Sequence, residues 1–117
     1  MSPKRGDRVA PPAVNDEWDV RFLTSAAATG WEDLCTHAPG NTRWAWDLMR
    51  TKPGPPETSR HSRLRGKLGT GHYGGRSLER WEIEVPGGGR IFYLLDRDKH
   101  AVRVEVAGTG HPKITDK

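Results

Sequence analysis

Three consecutive segments near the end of the chain alternate or saturate in apolar residues, and they constrain the fold more than any other feature. "SLERWEIEV" (77–85) sets Trp81, Ile83 and Val85 on one side and Arg80, Glu82 and Glu84 on the other, the period of a half-buried strand. "PGGG" turns the chain. "RIFYLLD" (90–96) is apolar on both faces, as a central strand is. "RDKH" turns it again, and "AVRVEVAG" (101–108) alternates Val102, Val104 and Val106 against Arg103 and Glu105. Strands joined by turns this short form an antiparallel meander.

Upstream, "EWDVRFLTS" (17–25) places Trp18, Val20 and Phe22 on one face and Asp19 and Arg21 on the other, a fourth strand. Thr24 or Ser25 can cap a helix on which Ala27, Trp31, Leu34, Cys35 and Ala38 form a single apolar stripe. Gly30 weakens that helix by roughly 1 kcal/mol relative to alanine. "HAPGN" breaks it, and a second helix over about 41–51 offers Trp44, Ala45, Leu48 and Met49 as its buried side. So brief a break favours an antiparallel helical hairpin. "KPGPPETS" ends the second helix with three prolines. "GTGHYGG" is too glycine-rich for a regular element.

The order is therefore β-α-α-β-β-β, an α+β fold with the helical hairpin packed on one face of a curved antiparallel sheet. Residues 1–16 lack periodicity and carry three prolines, so they read as a flexible lead; 17–113 form one domain and 114–117 a tail. The expected core includes Trp18, Phe22, Trp31, Leu34, Leu48, Trp81, Ile83, Ile91, Tyr93 and Val104. Only 33% of residues are hydrophobic, so the core must lean on large aromatics, among them five tryptophans.

Composition removes several function classes. Cys35 is the sole cysteine, which rules out an internal disulfide or a cysteine metal cluster and suits a small buried hydrophobe. Histidines 37, 61, 72, 100 and 111 have no metal-ligand spacing, so neither metal nor cofactor is expected. The glycines at 87–89 sit in a hairpin rather than before a helix, where a phosphate loop would need them. No apolar run approaches 18 residues and the N-terminus has no apolar h-region, so the expectation is a cytoplasmic protein with no membrane partner.

What remains is positive charge near a sheet. The net charge is +4, and between Arg60 and Trp81 lie Arg60, Arg63, Arg65, Lys67, Arg76 and Arg80 against the single acid Glu79. Such a local excess attracts phosphate backbones or acidic protein surfaces. Arg63, Arg65, Lys67 and Arg76 are the candidate RNA contacts. Cutting RNA without a metal needs a proton taken from the 2′-hydroxyl, positive charge on the phosphorane-like transition state, and a proton for the 5′-oxygen. Histidine suits either transfer and arginine suits the charge. Arg90 opens the central strand and His111 follows the end of its neighbour, so a meander brings these two ends together.

The helical hairpin followed by "RLRGKL", "RWEIEV", "GGRIFYLLD" and the terminal "GTGHPK" resembles the RelE/ParE superfamily of toxins from bacterial toxin–antitoxin pairs, over about residues 18–113. The resemblance implies a microbial-RNase-like fold and metal-independent cleavage of mRNA, usually on the ribosome. It also implies inhibition by a cognate antitoxin that wraps the toxin. Arg90 matches the family's strand arginine at the scissile phosphate. His111 falls near a catalytic histidine of some members, and Lys113 near basic residues that others use. Arg80 lies in a strand where some members place another catalytic arginine. The chain departs from the family in having no tyrosine after Tyr93, and in Glu82 and Glu84, where several relatives are basic. The superfamily also contains toxins that poison DNA gyrase without nuclease activity. That branch stays open, as does a degenerate member that only binds RNA.

Overall fold

A computed structural model describes residues 3–114; the first two residues, and 115–117 of the expected tail, lie outside the described part. Two helices pack on one face of a six-stranded sheet, an α+β architecture. Its elements are β1 (Asp19–Phe22), α1 (Ser25–His37), α2 (Pro39–Thr51), β2 (His61–Arg63), a single 3₁₀ turn (Gly66–Gly69), β3 (Thr70–Tyr73), β4 (Arg76–Val85), β5 (Gly89–Asp96) and β6 (Ala101–Thr109).

The meander is present as β4, β5 and β6, with Glu84 opposite Arg90 and Arg90 opposite Gly108. The sheet is mixed rather than antiparallel throughout. Its order is β1-β6-β5-β4-β2, with β3 also pairing β4, and β1 runs parallel to β6. The β5–β6 hairpin leaves the outer edge of β6 open, and β1 closes it before the chain enters the helices. Two short strands that the sequence pattern did not mark, β2 and β3, flank β4. The "GTGHYGG" segment, read as too glycine-rich for a regular element, forms β3 and its turn.

Thr24 caps α1 by accepting a hydrogen bond from the Ala27 amide at 2.9 Å. Only Ala38 separates the helices, because Pro39 starts α2 where its missing N–H costs nothing. The buried side of α1 is Ala27, Ala28, Gly30, Trp31 and Leu34, with Cys35 half-buried. A Cβ on Gly30 would lie 1.7 Å from the Ala107 carbonyl oxygen, so glycine is what lets the helix axis approach β6. In α2 the buried residues are Thr42, Ala45 and Met49; Leu48 packs at the margin, and Trp44, expected inside, is 40% exposed. Trp44 lies between the buried positions 42 and 45, and so faces outward.

The core between helices and sheet holds Phe22, Trp31, Leu34, Trp81, Ile83, Ile91, Tyr93 and Val104, with Trp18 packed at its edge and stacked on His100. Residues 1–16 were expected as a flexible lead, yet Val9 is buried in this core. The Val9 amide donates to the Val20 carbonyl, Gly6 to Phe22, and Phe22 back to Asp7.

His61 and Tyr93 clamp the proline-rich connection to the sheet. The Tyr93 hydroxyl donates to the Pro53 carbonyl, and His61 Nε2 lies 2.6 Å from the same hydroxyl and 3.2 Å from the same carbonyl. Burial pushes the His61 pKa below its usual value and raises that of Tyr93 well above its own. Among the described residues no helix is long and apolar enough to cross a membrane.

Candidate functional site

The face of the sheet turned away from the helices carries most of the strands' charged side chains, because period-two alternation sends the charged half of each strand there. Arg21, Arg76, Arg80, Arg90 and Arg103 lie on it, with Asp19, Glu82, Glu84, Asp96 and Glu105. Most of these arginines are already engaged.

Arg80, a candidate catalytic residue, is the most occupied of them. Its Nε and Nη2 donate to the two carboxylate oxygens of Glu105 at 2.8 and 3.0 Å, and its Nη1 donates to the carbonyls of Leu68 and Thr70. That uses four of the five N–H groups of a guanidinium and leaves it little to offer a phosphate. The partner arises from an irregularity in β6. Phe92 pairs with Val106 and Tyr93 with Val104, so Glu105 is the extra residue of a bulge that aims its carboxylate at Arg80.

Arg76, a candidate RNA contact, is likewise held. It makes a two-pronged bond to Asp96 at 2.8 and 2.7 Å, and Arg103 donates to the same carboxylate at 3.0 Å. The Asp96 carboxyl is fully buried. Arg76 first, and Arg103 after it, hold its pKa down at about 2 despite the opposing effect of burial. The other candidate RNA contacts, Arg63, Arg65 and Lys67, are exposed around the 3₁₀ turn. Arg63 pairs with Trp81 in the ladder, and its Nε donates to Gly69 at 3.1 Å, so it sits on the helix side, away from Arg90. Arg65 lies 3.8 Å from Glu57.

Arg90 is different. Among the described residues its Nε is buried without a hydrogen-bond partner, and the nearest carboxylate, Glu82, is 3.5 Å away. The other arginines of this face each have a hydrogen-bonded carboxylate, as Arg21 does with Asp19 at 2.9 Å. Arg90 also lines a hollow of about 270 Å³ together with Glu84, the 86–89 turn, Gly110 and His111. The meander thus places the two expected ends in one cavity.

Local backbone explains why the hollow forms. The Gly110 amide donates to the Gly88 carbonyl at 3.1 Å, tying the end of β6 to the β4–β5 turn. A Cβ on Gly89 would lie 1.9 Å from the Gly108 carbonyl oxygen, so only glycine allows the strands to close there. Gly110 takes a left-handed φ of 75° and turns the chain back, and His111 follows it at the rim, exposed. Lys113 is exposed and lies outside this lining.

Glu84 is the residue that sequence reasoning assigned against function, as an acid where relatives are basic. Counting back through the "PGGG" turn pairs it with Arg90, which was the available signal. The hollow therefore combines a carboxylate, a guanidinium and an imidazole, the groups that a base, a fixed charge and an acid require. Among the described residues no group of three or more His, Cys, Asp or Glu side chains is placed to hold a metal ion. Comparison with known proteins finds no matching family model, curated protein or solved structure.

Proposed function

We propose that the protein is a metal-independent endoribonuclease of the RelE type, the toxin of a type II toxin–antitoxin pair, which cuts mRNA on the ribosome in the cytoplasm. A cognate antitoxin neutralises it. The RelE-like, microbial-RNase-like assignment of the fold belongs to the same proposal, supported by two helices on one face of the sheet and a concentration of charged side chains on the other. The single observation that carries the reading is Arg90, whose buried Nε lacks an acceptor at a hollow that His111 and Glu84 also line.

In this reading Glu84 takes the proton from the 2′-hydroxyl, whose oxygen then attacks the adjacent phosphorus. Arg90 neutralises the charge that builds on the phosphorane oxygens. His111 protonates the departing 5′-oxygen. The products are a 2′,3′-cyclic phosphate and a 5′-hydroxyl, and no water is consumed. Arg63, Arg65 and Lys67 supply outer contacts to phosphates or to acidic segments of the antitoxin. Lys113 adds a screened contact near the exit of the hollow.

The test is to incubate purified protein with programmed ribosomes and with free mRNA in EDTA, then identify the ends of any fragments. Cyclic-phosphate and 5′-hydroxyl ends are expected. Intact RNA in both reactions would overturn the proposal. One observation favours a gyrase-directed toxin instead: Glu82 and Glu84 flank Arg90 and weaken its attraction for phosphate. Inhibition of gyrase supercoiling by a protein that leaves RNA intact would select that reading.

A further inference from the structure

A larger hollow, about 440 Å³, opens beside Arg103, toward the opposite end of β6 from Gly108. Its walls include Arg5 and Gly6 of the N-terminal segment, Arg21 of β1, Arg103 of β6 and Tyr73 at the tip of β3. Arg21 and Arg103 are register partners across the parallel pair. Tyr73 comes from the far side of β4, and the sheet curls enough to lay its ring 4.3 Å from the Arg103 guanidinium. Docking of the N-terminal segment along β1 supplies the last wall.

The lining has a distinctive chemistry. It carries three arginines and two aromatic residues, Tyr73 at the surface and the buried Phe22, and no acidic residue is among the described residues that line it. Arg21 and Arg103 have carboxylate partners outside the hollow, Asp19 and Asp96. Arg5 is exposed, with no carboxylate within ion-pair distance among the described residues. Tyr73 is 37% exposed and stacks on a cation, which gives a flat platform beside a positively charged track. Proteins that bind single-stranded nucleic acid combine these two elements, stacking for bases and cations for the backbone. An acidic peptide needs the cations but has no use for the platform.

We propose that this hollow is a second subsite for single-stranded RNA, with a backbone phosphate on Arg5 and Arg21 and a base against the Tyr73–Arg103 stack. The inference rests on the ribonuclease reading of the Arg90 hollow and extends it. From Arg103 to Gly108 is five residues of strand, about 16 Å, which a single strand spans in a few nucleotides. A strand whose reacting nucleotide sits at Arg90 therefore runs along β6 and reaches the second hollow with its flanking nucleotides.

The experiment measures binding by fluorescence anisotropy, using 2′-O-methyl oligoribonucleotides of two to eight residues, which cannot be cut because the 2′-oxygen is blocked. Wild-type affinity should rise by about tenfold once the strand is long enough to fill both hollows. Tyr73→Ala should abolish that step and Tyr73→Phe should keep it. Arg5→Glu should abolish it too, and should flatten the dependence of log Kd on log salt by about 0.7, the value of one lost phosphate contact on a single strand. Both positions are exposed, and unchanged melting will confirm that the variants fold. If Tyr73→Ala and Arg5→Glu keep the length step, the subsite is wrong even where the protein cuts RNA. If the step is lost in both while wild-type protein leaves RNA intact, the subsite stands and the nuclease reading falls. Should polyglutamate displace a labelled hexamer through Arg5 but independently of Tyr73, the hollow belongs to an acidic protein segment, and the RNA proposal is overturned.

Discussion

Arginines lie beside both ends of β5, in opposite circumstances. At its C-terminal end Asp96 is buried between Arg76 and Arg103, and next to it Arg80 spends its donors on Glu105 and two carbonyls. At its N-terminal end Arg90 has a buried Nε with no acceptor and a carboxylate no closer than 3.5 Å. Removing one partner from a satisfied buried pair leaves the other stranded, so those arginines belong to the fold. The Arg90 Nε is itself closed to solvent, but its half-buried side chain makes no hydrogen bond through the terminal nitrogens among the described residues, so Arg90 is available for chemistry. Residue type and face are the same; hydrogen-bond occupancy separates them.

The comparison breaks most readily at Arg90. Arg90→Ala should lower mRNA cleavage by about 10²–10³-fold or more, since it removes a fixed charge from where negative charge develops. Its melting temperature should hardly change. Arg80→Ala should show the reverse emphasis, a clear loss of stability in a urea titration. If Arg90→Ala unfolds the protein while Arg80→Ala leaves it stable, the division between the two ends is wrong.

Asp96→Ala comes next. It strands Arg76 and Arg103 together, and should destabilise the protein by about 3–5 kcal/mol, measured by urea unfolding. A cost below about 1 kcal/mol would mean that solvent already screens the cluster.

Acid sharpens the same contrast. The His61 pKa is depressed by burial, so its contribution to stability is complete above the unfolded value of about 6.5 and is lost as pH falls from there toward the folded value. Asp96 titrates at about 2 when folded against 3.8 ordinarily, so its contribution is present above 3.8 and disappears as pH falls toward 2. The urea midpoint should therefore decline in two stages. Glu79, whose pKa the Arg97 hydrogen bond also lowers, shares that second stage, so Asp96→Asn should shrink it, and an undiminished second stage in that variant would remove Asp96 from the account.

Much of this was legible in sequence, for identifiable reasons. The meander and both helices announced themselves because β4, β6 and the helices each bury one face over eight or more residues, long enough for a period to show, and β5 is apolar on both. β2 and β3, of three and four residues, were not legible, since their pairing with β4 rests on backbone bonds rather than a side-chain pattern. The parallel β1–β6 pair joins residues some eighty positions apart, and no local signal marks it. The nearness of Arg90 and His111 followed from meander geometry alone. The engagement of Arg80 did not, because its partner is aimed by a bulge in β6, and a bulge shifts register in a way that alternation cannot reveal. Glu84 was within reach, by counting across a turn, but its charge was read as a departure from the family.

A smaller effect is expected at Lys113. Lys113→Ala should reduce cleavage only modestly, and raising the salt should reproduce the loss in the wild type, because an exposed phosphate contact is screened. A loss as large as that of Arg90→Ala, unaffected by salt, would move Lys113 into the reacting centre.

The account turns on whether the Arg90 hollow performs a proton transfer, and His111 decides it. The measurement is the cleavage rate of mRNA on programmed ribosomes in EDTA by His111→Ala and wild-type protein, with circular dichroism confirming that both are folded. The account predicts a fall of about 10²–10⁴-fold, the span for losing a general acid or base. Cleavage by folded His111→Ala at the wild-type rate would contradict it and leave His111 a surface residue at the end of a strand.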